Sequence, residues 1–260
     1  MELVSGGGGE SDPTNDGKTH LFIHVPSDGL AYAPASIATS GGAMSIDWGD
    51  GTVQNITTTV PSHTYAKGDY EIVMQVTNGN YYCMGTTFGT TSATSTNVAA
   101  RTASMLRRAY FYDENLWLGT AEDRFNSILE YCFALEKAVF TKTTSMSANA
   151  TNTFAGCYSL REIALPPQFT SFTQYAFRYC KNLSAVTIPS SMTALGSYTF
   201  NACINMGEVH FLPSTPPTSA SSTWTTVPTT CKIYVPTGTL AAYQAAENYP
   251  DPATYTYVEE

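Results

Sequence analysis

Charge is scarce in this chain, and positive charge most of all. Lys, Arg, Asp and Glu supply only 13% of the 260 residues, and 12 Lys and Arg stand against 21 Asp and Glu, a formal net charge of −9. That balance repels nucleic acid and anionic membrane, and the few cations form no basic stripe to overcome it. Long apolar runs are also missing. None approaches the roughly 18 residues that a membrane-spanning helix needs, so no membrane insertion is expected. The opening stretch MELVSGGGGESDPTNDGK lacks the positive n-region and apolar h-region of a secretory signal. Its Gly, Ser and Asp content reads as a flexible leader over residues 1–18. Either an export signal has been removed and replaced, or the protein reaches its destination without one. The vocabulary of catalysis is absent as well: the sequence has no G-x-S-x-G, no G-x-x-x-x-G-K-S/T, no H-E-x-x-H and no G-x-G-x-x-G opening a helix. No enzymatic activity, cofactor or metal is expected.

What the chain does have is Thr, Ser, Ala, Gly and Tyr in short patterned runs, and a length that suits two ordinary domains. THLFIHV (19–25) alternates and is bounded by Pro26 and Gly29, which predicts a strand. Asp50-Gly51 and Lys67-Gly68-Asp69 mark tight turns between β-rich runs, and residues 70–76 form another strong strand. Short strands joined by polar turns predict a small β-sandwich over residues 19–100. The combination IDWGDGT (46–52), HTY (63–65), Gly68 and YEIVMQV (70–76) resembles a PKD domain, an immunoglobulin-like sandwich. The resemblance implies that Trp48 packs into the core and that the Gly-Asp-Gly turn holds the strands in register. Asp47 and Asp50 also raise the question of a calcium site or a catalytic acid pair. An EF-hand needs Glu near its twelfth position, where Thr57, Thr58 and Thr59 stand, and the expected role is an Asx-turn. His63 is expected to be structural.

Beyond residue 100 the chain repeats. FAGCYSLREIALP (154–166), FRYCKNLSAVTIP (177–189) and FNACINMGEVHFLP (200–213) place Phe154, Phe177 and Phe200 in one column, 23 residues apart. Cys157, Cys180 and Cys203 form a second column, Leu160, Leu183 and Met206 a third, Ile163, Val186 and Val209 a fourth, and Leu165, Ile188 and Phe211 a fifth. Phe169 matches Met192, Phe172 matches Leu195 and Tyr175 matches Tyr198. LEYCFALEKAVF (129–140) is an earlier copy, in a repeat two residues longer, and ASMLRRAYF (103–111) a weaker one, while the period is lost in STPPTSASSTW after Phe211. A fixed period with apolar columns is the signature of a solenoid, each repeat supplying one short strand. The phrase resembles the BspA-like class of leucine-rich repeats, and residues 231–250 resemble the ending of such proteins, a last strand followed by a capping helix. The fold expected is therefore mainly β: a PKD-like sandwich, then a BspA-like solenoid with its cap over residues 101–260.

The column explains Cys132, Cys157, Cys180 and Cys203 as buried thiols stacked one per repeat, because free cysteine behaves as a small hydrophobe. Parallel side chains suit a disulfide poorly, zinc spacing is absent, and a repeated position argues against a unique nucleophile. Cys180→Ser is expected to cost about 1 to 3 kcal/mol through a poorly paired hydroxyl. Cys83 and Cys231 fall outside the column and are left unpaired.

Asp113, Glu114, Glu122, Asp123, Glu130 and Glu136 cluster in the first repeats and read as a solvated face. The outward strand positions, where solenoids bind partners, are Lys137, Val139, Glu162, Ala164, Ala185, Thr187, Glu208 and His210. They show no aromatic stripe and no run of one charge, and His210 alone is distinctive. Both resemblances imply a surface-display or adhesion protein contacting a protein or surface glycan. A bacteriophage virion component, as part of a larger assembly, is the alternative.

Overall fold

The computed structural model describes residues 11–34, 36–39, 43–56, 61–79, 81–84, 104–118, 128–141 and 150–260. The expected boundary at residue 100, the side chain of Cys83, and Glu122 and Asp123 lie outside the described residues. The first part holds β1 (Thr19–Val25), β2 (Leu30–Tyr32), β3 (Ser36–Thr39), β4 (Ala43–Asp47), β5 (Val53–Ile56), β6 (His63–Tyr65), β7 (Gly68–Asn78) and β8 (Tyr81–Met84). The second holds β9 (Leu106–Phe111), β10 (Leu116–Leu118), β11 (Lys137–Phe140), β12 (Ala150–Thr151), β13 (Glu162–Ala164), β14 (Ser171–Gln174) and β15 (Ala185–Ile188). It continues with β16 (Ala194–Ser197), β17 (Glu208–Phe211), β18 (Thr218–Ser219), β19 (Lys232–Val235), α1 (Leu240–Gln244) and β20 (Thr256–Glu259). The chain is mainly β with a solenoid arrangement, as its periodicities require.

In the first part, side chains on alternate residues point to one face of the sheet. Leu21, Ile23 and Val25 of β1, Met44 and Ile46 of β4, and Ile72, Met74 and Val76 of β7 are all buried on that rule. Trp48 is fully buried beside them, stacked on His63 with ring centroids 5.1 Å apart, and the Tyr65 hydroxyl donates to the Trp48 carbonyl at 3.0 Å. The turn that follows is made by Asx geometry. Asp47 Oδ1 accepts from the Gly49 N–H at 2.9 Å and Asp50 Oδ1 from the Thr52 N–H at 3.0 Å. Gly49 has φ +79°, and a side chain there would run into the Glu71 carbonyl, so the turn admits glycine alone at this position. Asp50 Oδ2 also meets His63 Nε2 at 2.6 Å, and this hydrogen bond holds the Asp50 carboxyl below its ordinary value of 3.8. A depressed folded pKa stabilises fully above the ordinary value and fades as pH falls through the folded one, so the turn weakens only in acid. Trp48→Ala is expected to lose about 3 to 5 kcal/mol in chemical denaturation by emptying a core site. Asp50→Asn should cost much less. A calcium-dependent melting temperature that disappears in Asp50→Asn would make the turn a metal site instead.

In the second part the predicted columns stack. Parallel pairing sets Ala138 opposite Ala109, Phe140 opposite Phe111, Val209 opposite Val186 and Phe211 opposite Ile188, and Ile233 extends the row past Val209. Phe154 and Phe177 lie parallel with centroids 5.0 Å apart, Phe177 and Phe200 at 5.8 Å, and Tyr175 and Tyr198 at 5.4 Å. The repeat continues through the Pro-rich stretch, where the sequence period is lost. Trp224 packs 5.1 Å from Phe200 in the Phe column and Val227 is buried where the cysteine would stand, while β18 pairs with β16. A second sheet, β12-β14-β16-β18, forms the other side of the coil. The expected last strand and capping helix are β19 and α1. After them β20, which no repeat phrase announced, adds one more parallel strand to β19.

The thiols of Cys132, Cys157, Cys180 and Cys203 are buried, as expected, and are more than fillers. Cys157 Sγ donates to the Leu129 carbonyl at 3.0 Å, Cys180 Sγ to Phe154 at 3.1 Å and Cys203 Sγ to Phe177 at 3.1 Å, each reaching back one repeat. Each residue before the cysteine adopts a left-handed backbone: Tyr131, Gly156, Tyr179 and Ala202 have φ between 58° and 76°. For residues other than glycine this costs about 1 to 2 kcal/mol apiece. It is offset by hydrogen bonds to the next repeat, among them Tyr131 N–H to the Ala155 carbonyl at 2.7 Å and Tyr179 N–H to Asn201 at 2.9 Å. Burial pushes all four column thiols up, and Cys231 up to about 12, so little reactive thiolate forms near neutrality. The four column cysteines should therefore resist a thiol reagent in the native state and react after denaturation. Rapid native labelling, or a mass showing paired oxidation, would refute the ladder. The waiting carbonyl moves Cys180→Ser to the mild end of the expected range, about 1 kcal/mol, because a serine hydroxyl finds the same acceptor.

The two parts are joined by their sheets. Antiparallel pairing of β1 with β9, Thr19 opposite Phe111 through Ile23 opposite Leu106, makes one seven-stranded sheet in the order β13-β11-β9-β1-β7-β4-β5. A second junction pairs β10 with β8 in the order β10-β8-β3. One contiguous apolar core runs from Leu21 to Tyr243.

Candidate functional site

The outward positions of the repeat strands form rows across two sheets, the seven-stranded one and a four-stranded one in the order β15-β17-β19-β20. Glu71 of β7, Phe22 of β1, Arg108 of β9, Lys137 of β11 and Glu162 of β13 stand opposite one another in succession. Tyr110, Val139 and Ala164 form the neighbouring row. Farther along, Ala185, Glu208 and Lys232 align, as do Thr187, His210 and Tyr234. The eight expected face residues therefore share one side of the molecule. Six of them, Lys137, Val139, Glu162, Ala164, Ala185 and Thr187, line a shallow depression of about 450 Å³, and Glu208 and His210 lie on β17.

Four of the eight are held by neighbours, in two groups built around Lys137 and His210. Lys137 Nζ lies 2.7 Å from Asp12 Oδ2 and 2.8 Å from Glu162 Oε2, and the hydrogen bond to Asp12 chiefly raises its pKa. His210 stacks flat on Tyr234 with centroids 4.2 Å apart, its Nδ1 2.9 Å from Glu260 Oε1 and its Nε2 3.3 Å from Glu208 Oε2. The face is richer in aromatics than its repeat phrases imply: Phe22, Tyr110 and Tyr234 stand on it, and the Arg108 guanidinium lies 4.1 Å over the Phe22 ring. Phe22 went unseen because it belongs to β1, outside the repeat.

Residues 11–18, within the expected leader, lie on this face. Asp12 accepts from the Tyr110 hydroxyl as well as from Lys137, and the Pro13 carbonyl accepts from the Tyr112 hydroxyl at 3.3 Å. The Asp12 carboxyl is held below its ordinary value, first by the hydrogen bond from Lys137, and burial pushes the Tyr110 phenol up to about 12.

A solvated face for the clustered acids holds for Glu114 and Glu136 but not for Asp113 and Glu130, which are 3% and 6% exposed. Asp113 turns inward because its carboxylate takes the Val76 N–H at 2.6 Å and the Asn115 N–H at 2.9 Å, tying the first repeat to β7. Burial raises its pKa, with those backbone N–H groups opposing. Among the described residues no group of three His, Cys, Asp or Glu side chains is placed to hold a metal ion.

A second feature lies on the turn corner of the coil. Tyr131, Phe133, Tyr158, Tyr175, Tyr179 and Tyr198 form an aromatic band, with Phe133 and Tyr158 stacked at 5.4 Å. Arg178 is sandwiched in it, 5.0 Å over Tyr175 and 4.6 Å over Tyr179, and Lys181 lies 5.1 Å over Tyr158. The 23-residue match of Tyr175 with Tyr198 was the signal for this band. Its lateral partners come from different columns and meet only through the left-handed turns.

The chain is similar to two solved leucine-rich repeat proteins and to one repeat-family model. A leucine-rich repeat protein from Bacteroides ovatus ATCC 8483 is 21% identical with a TM-score of 0.45, covering 60% of this chain and 36% of that one, so the chain spans about a third of its length. A T. pallidum leucine rich repeat protein is 15% identical with a TM-score of 0.39, covering 59% of this chain and 76% of that one. No curated protein matches. Residues 104–221 match the model of the BspA type leucine rich repeat region, in six copies.

Proposed function

We propose that this protein is a non-enzymatic binding protein, displayed at a bacterial cell surface, that grips a protein or surface glycan through the strand face. The observation that carries this reading is the run of outward rows across β7, β1, β9, β11 and β13, which extends the solenoid's strand face onto the first part of the chain. Strands about 4.8 Å apart make such a face tens of ångströms wide, enough for an extended partner. A repeat fold of this type is compatible with protein binding or adhesion. The Trp48, His63 and Tyr65 cluster above the Asp47 and Asp50 turns supports reading residues 19–100 as a PKD-like display module ahead of the repeats of residues 101–260. Asp113 is buried against backbone N–H groups, which leaves it badly placed to act with Glu136 as a catalytic pair.

Because the contact spreads over several repeats, Thr187→Ala or His210→Ala is expected to weaken adhesion only a few-fold, and deletion of one 23-residue repeat to abolish it. Protease shaving of intact cells should release peptides of this protein. Copurification with phage particles at a fixed copy number would place it in a virion instead, and hydrolytic turnover lost on changing Asp113 and Glu136 together would overturn the binding reading.

A further inference from the structure

The strand face already carries an occupant. Residues 11–16, SDPTND, cross β9 and β11 without joining a sheet. Side chains from successive strands reach up to them. Lys137 of β11 and Tyr110 of β9 hold the Asp12 carboxylate, Tyr112 just past β9 holds the Pro13 carbonyl, and His20 Nε2 of β1 lies 2.9 Å from Asp16 Oδ1. Tyr110 and His20 are 0% and 6% exposed although both occupy outward positions. Asp12 also lines two depressions, one of about 1040 Å³ over β1, β7 and β9 and the other of about 450 Å³ over β11, β13 and β15. Arg107, Arg108, Lys137 and Arg161 line these two depressions beside the carboxylates of Asp69, Glu71, Glu136 and Glu162, so the groove selects a carboxylate at the point where Lys137 and Tyr110 converge and not by an overall positive charge.

We propose that the strand face over β1, β9 and β11 is a recognition groove for an extended acidic peptide segment, which residues 11–16 fill in cis. This rests on the strand-face reading above and names the partner chemistry: a carboxylate for Lys137 and Tyr110, and an open backbone carbonyl beside it for Tyr112. A tethered occupant acts at an effective concentration on the order of millimolar, so an outside segment binds only after displacing it, and its apparent affinity falls by the fraction of molecules with the groove open.

The test uses the full chain and a labelled synthetic peptide SDPTND. Asp12→Ala with Asp16→Ala should free the groove. That double variant is expected to bind the peptide at least tenfold more tightly than the unaltered chain, with a dissociation constant of about 0.1 mM or tighter. Adding Lys137→Ala should abolish the gain, as should a peptide with Asn in place of both Asp residues. If Lys137→Ala fails to fold by circular dichroism, Tyr110→Phe removes a single hydroxyl and serves in its place. Equal binding to both chains, no binding to the double variant, or binding indifferent to Lys137 and Tyr110 would each overturn the proposal. The peptide readout needs no natural partner, so it stands or falls apart from the adhesion test at Thr187 and His210.

Discussion

Deprived of residues 11–84, the repeats of residues 104–260 are expected to aggregate instead of folding, and the intact chain to melt in a single transition. The junction is made of sheet. β9 would lose its antiparallel partner β1, exposing the unpaired N–H and C=O groups of an edge strand, and β10 would lose β8. Leu106, Ala109 and Phe111, now buried with Leu21 and Ile23 in one core, would face water. Fully burying a side chain the size of Leu106 or Phe111 is worth about 1.5 to 3 kcal/mol, so exposing both removes about 3 to 6 kcal/mol, a large share of the margin of an ordinary domain, about 5 to 15 kcal/mol. The Asp113 carboxylate would also lose the Val76 N–H it holds at 2.6 Å. Repeat arrays need a capping unit at each end, and here the first part serves as that cap. Size-exclusion chromatography of the fragment, with fluorescence and circular dichroism melts of the whole chain, decides the matter. A monomeric fragment melting at the temperature of the intact protein would reduce the junction to a mere contact.

Gly196→Ala should be among the most damaging single substitutions in the solenoid. Gly196 lies in β16 opposite Thr173, between the pairs Phe172 with Leu195 and Gln174 with Ser197. A methyl group built there is driven into the backbone carbonyl of Thr173, with that of Phe172 close behind. Neither can swing aside as a side chain would. The strands must part, and the hydroxyls of Thr199 and Thr223 that converge on the Gly196 carbonyl at 2.8 and 3.0 Å must move with them. Overpacking usually costs about 1 to 3 kcal/mol, and a backbone collision belongs at or above the top of that range. For a chain of this size that lowers the melting temperature by roughly 6 to 12 °C. Gly207→Ala is the control, since its new methyl would meet only the Ser184 carbonyl at 3.5 Å, an ordinary contact. Equal melting temperatures for the two variants would mean that the sheet yields more easily than its geometry implies.

The buried columns were legible because each repeat must solve the same packing problem. Phe154, Phe177 and Phe200 face the same neighbours one repeat apart, and a residue that meets its own kind every 23 positions announces itself in one dimension. For the same reason Cys132, Cys157, Cys180 and Cys203 could be read as buried thiols, whereas Trp48 was expected in the core only because its motif resembles a PKD domain. The carbonyl acceptors that the thiols reach were not legible, since backbone direction is no part of a residue pattern. Of the expected face residues, Lys137 and His210 meet partners that the sequence did not indicate, Asp12 and Glu260, which lie 125 and 50 residues away.

By itself, then, the sequence determined which side chains each repeat buries, the parallel stacking that follows, and the shortage of basic charge. These depend on local alternation and period, which a single chain displays in order. Only the tertiary structure decided that β1 pairs with β9, that Asp113 turns inward while Glu114 stays in water, that β20 extends the sheet, and that residues 11–16 lie on the strand face. Each of those is a meeting of segments far apart in the chain, and its outcome rests on shape, hydrogen-bond partners and burial that exist only once both segments are in place.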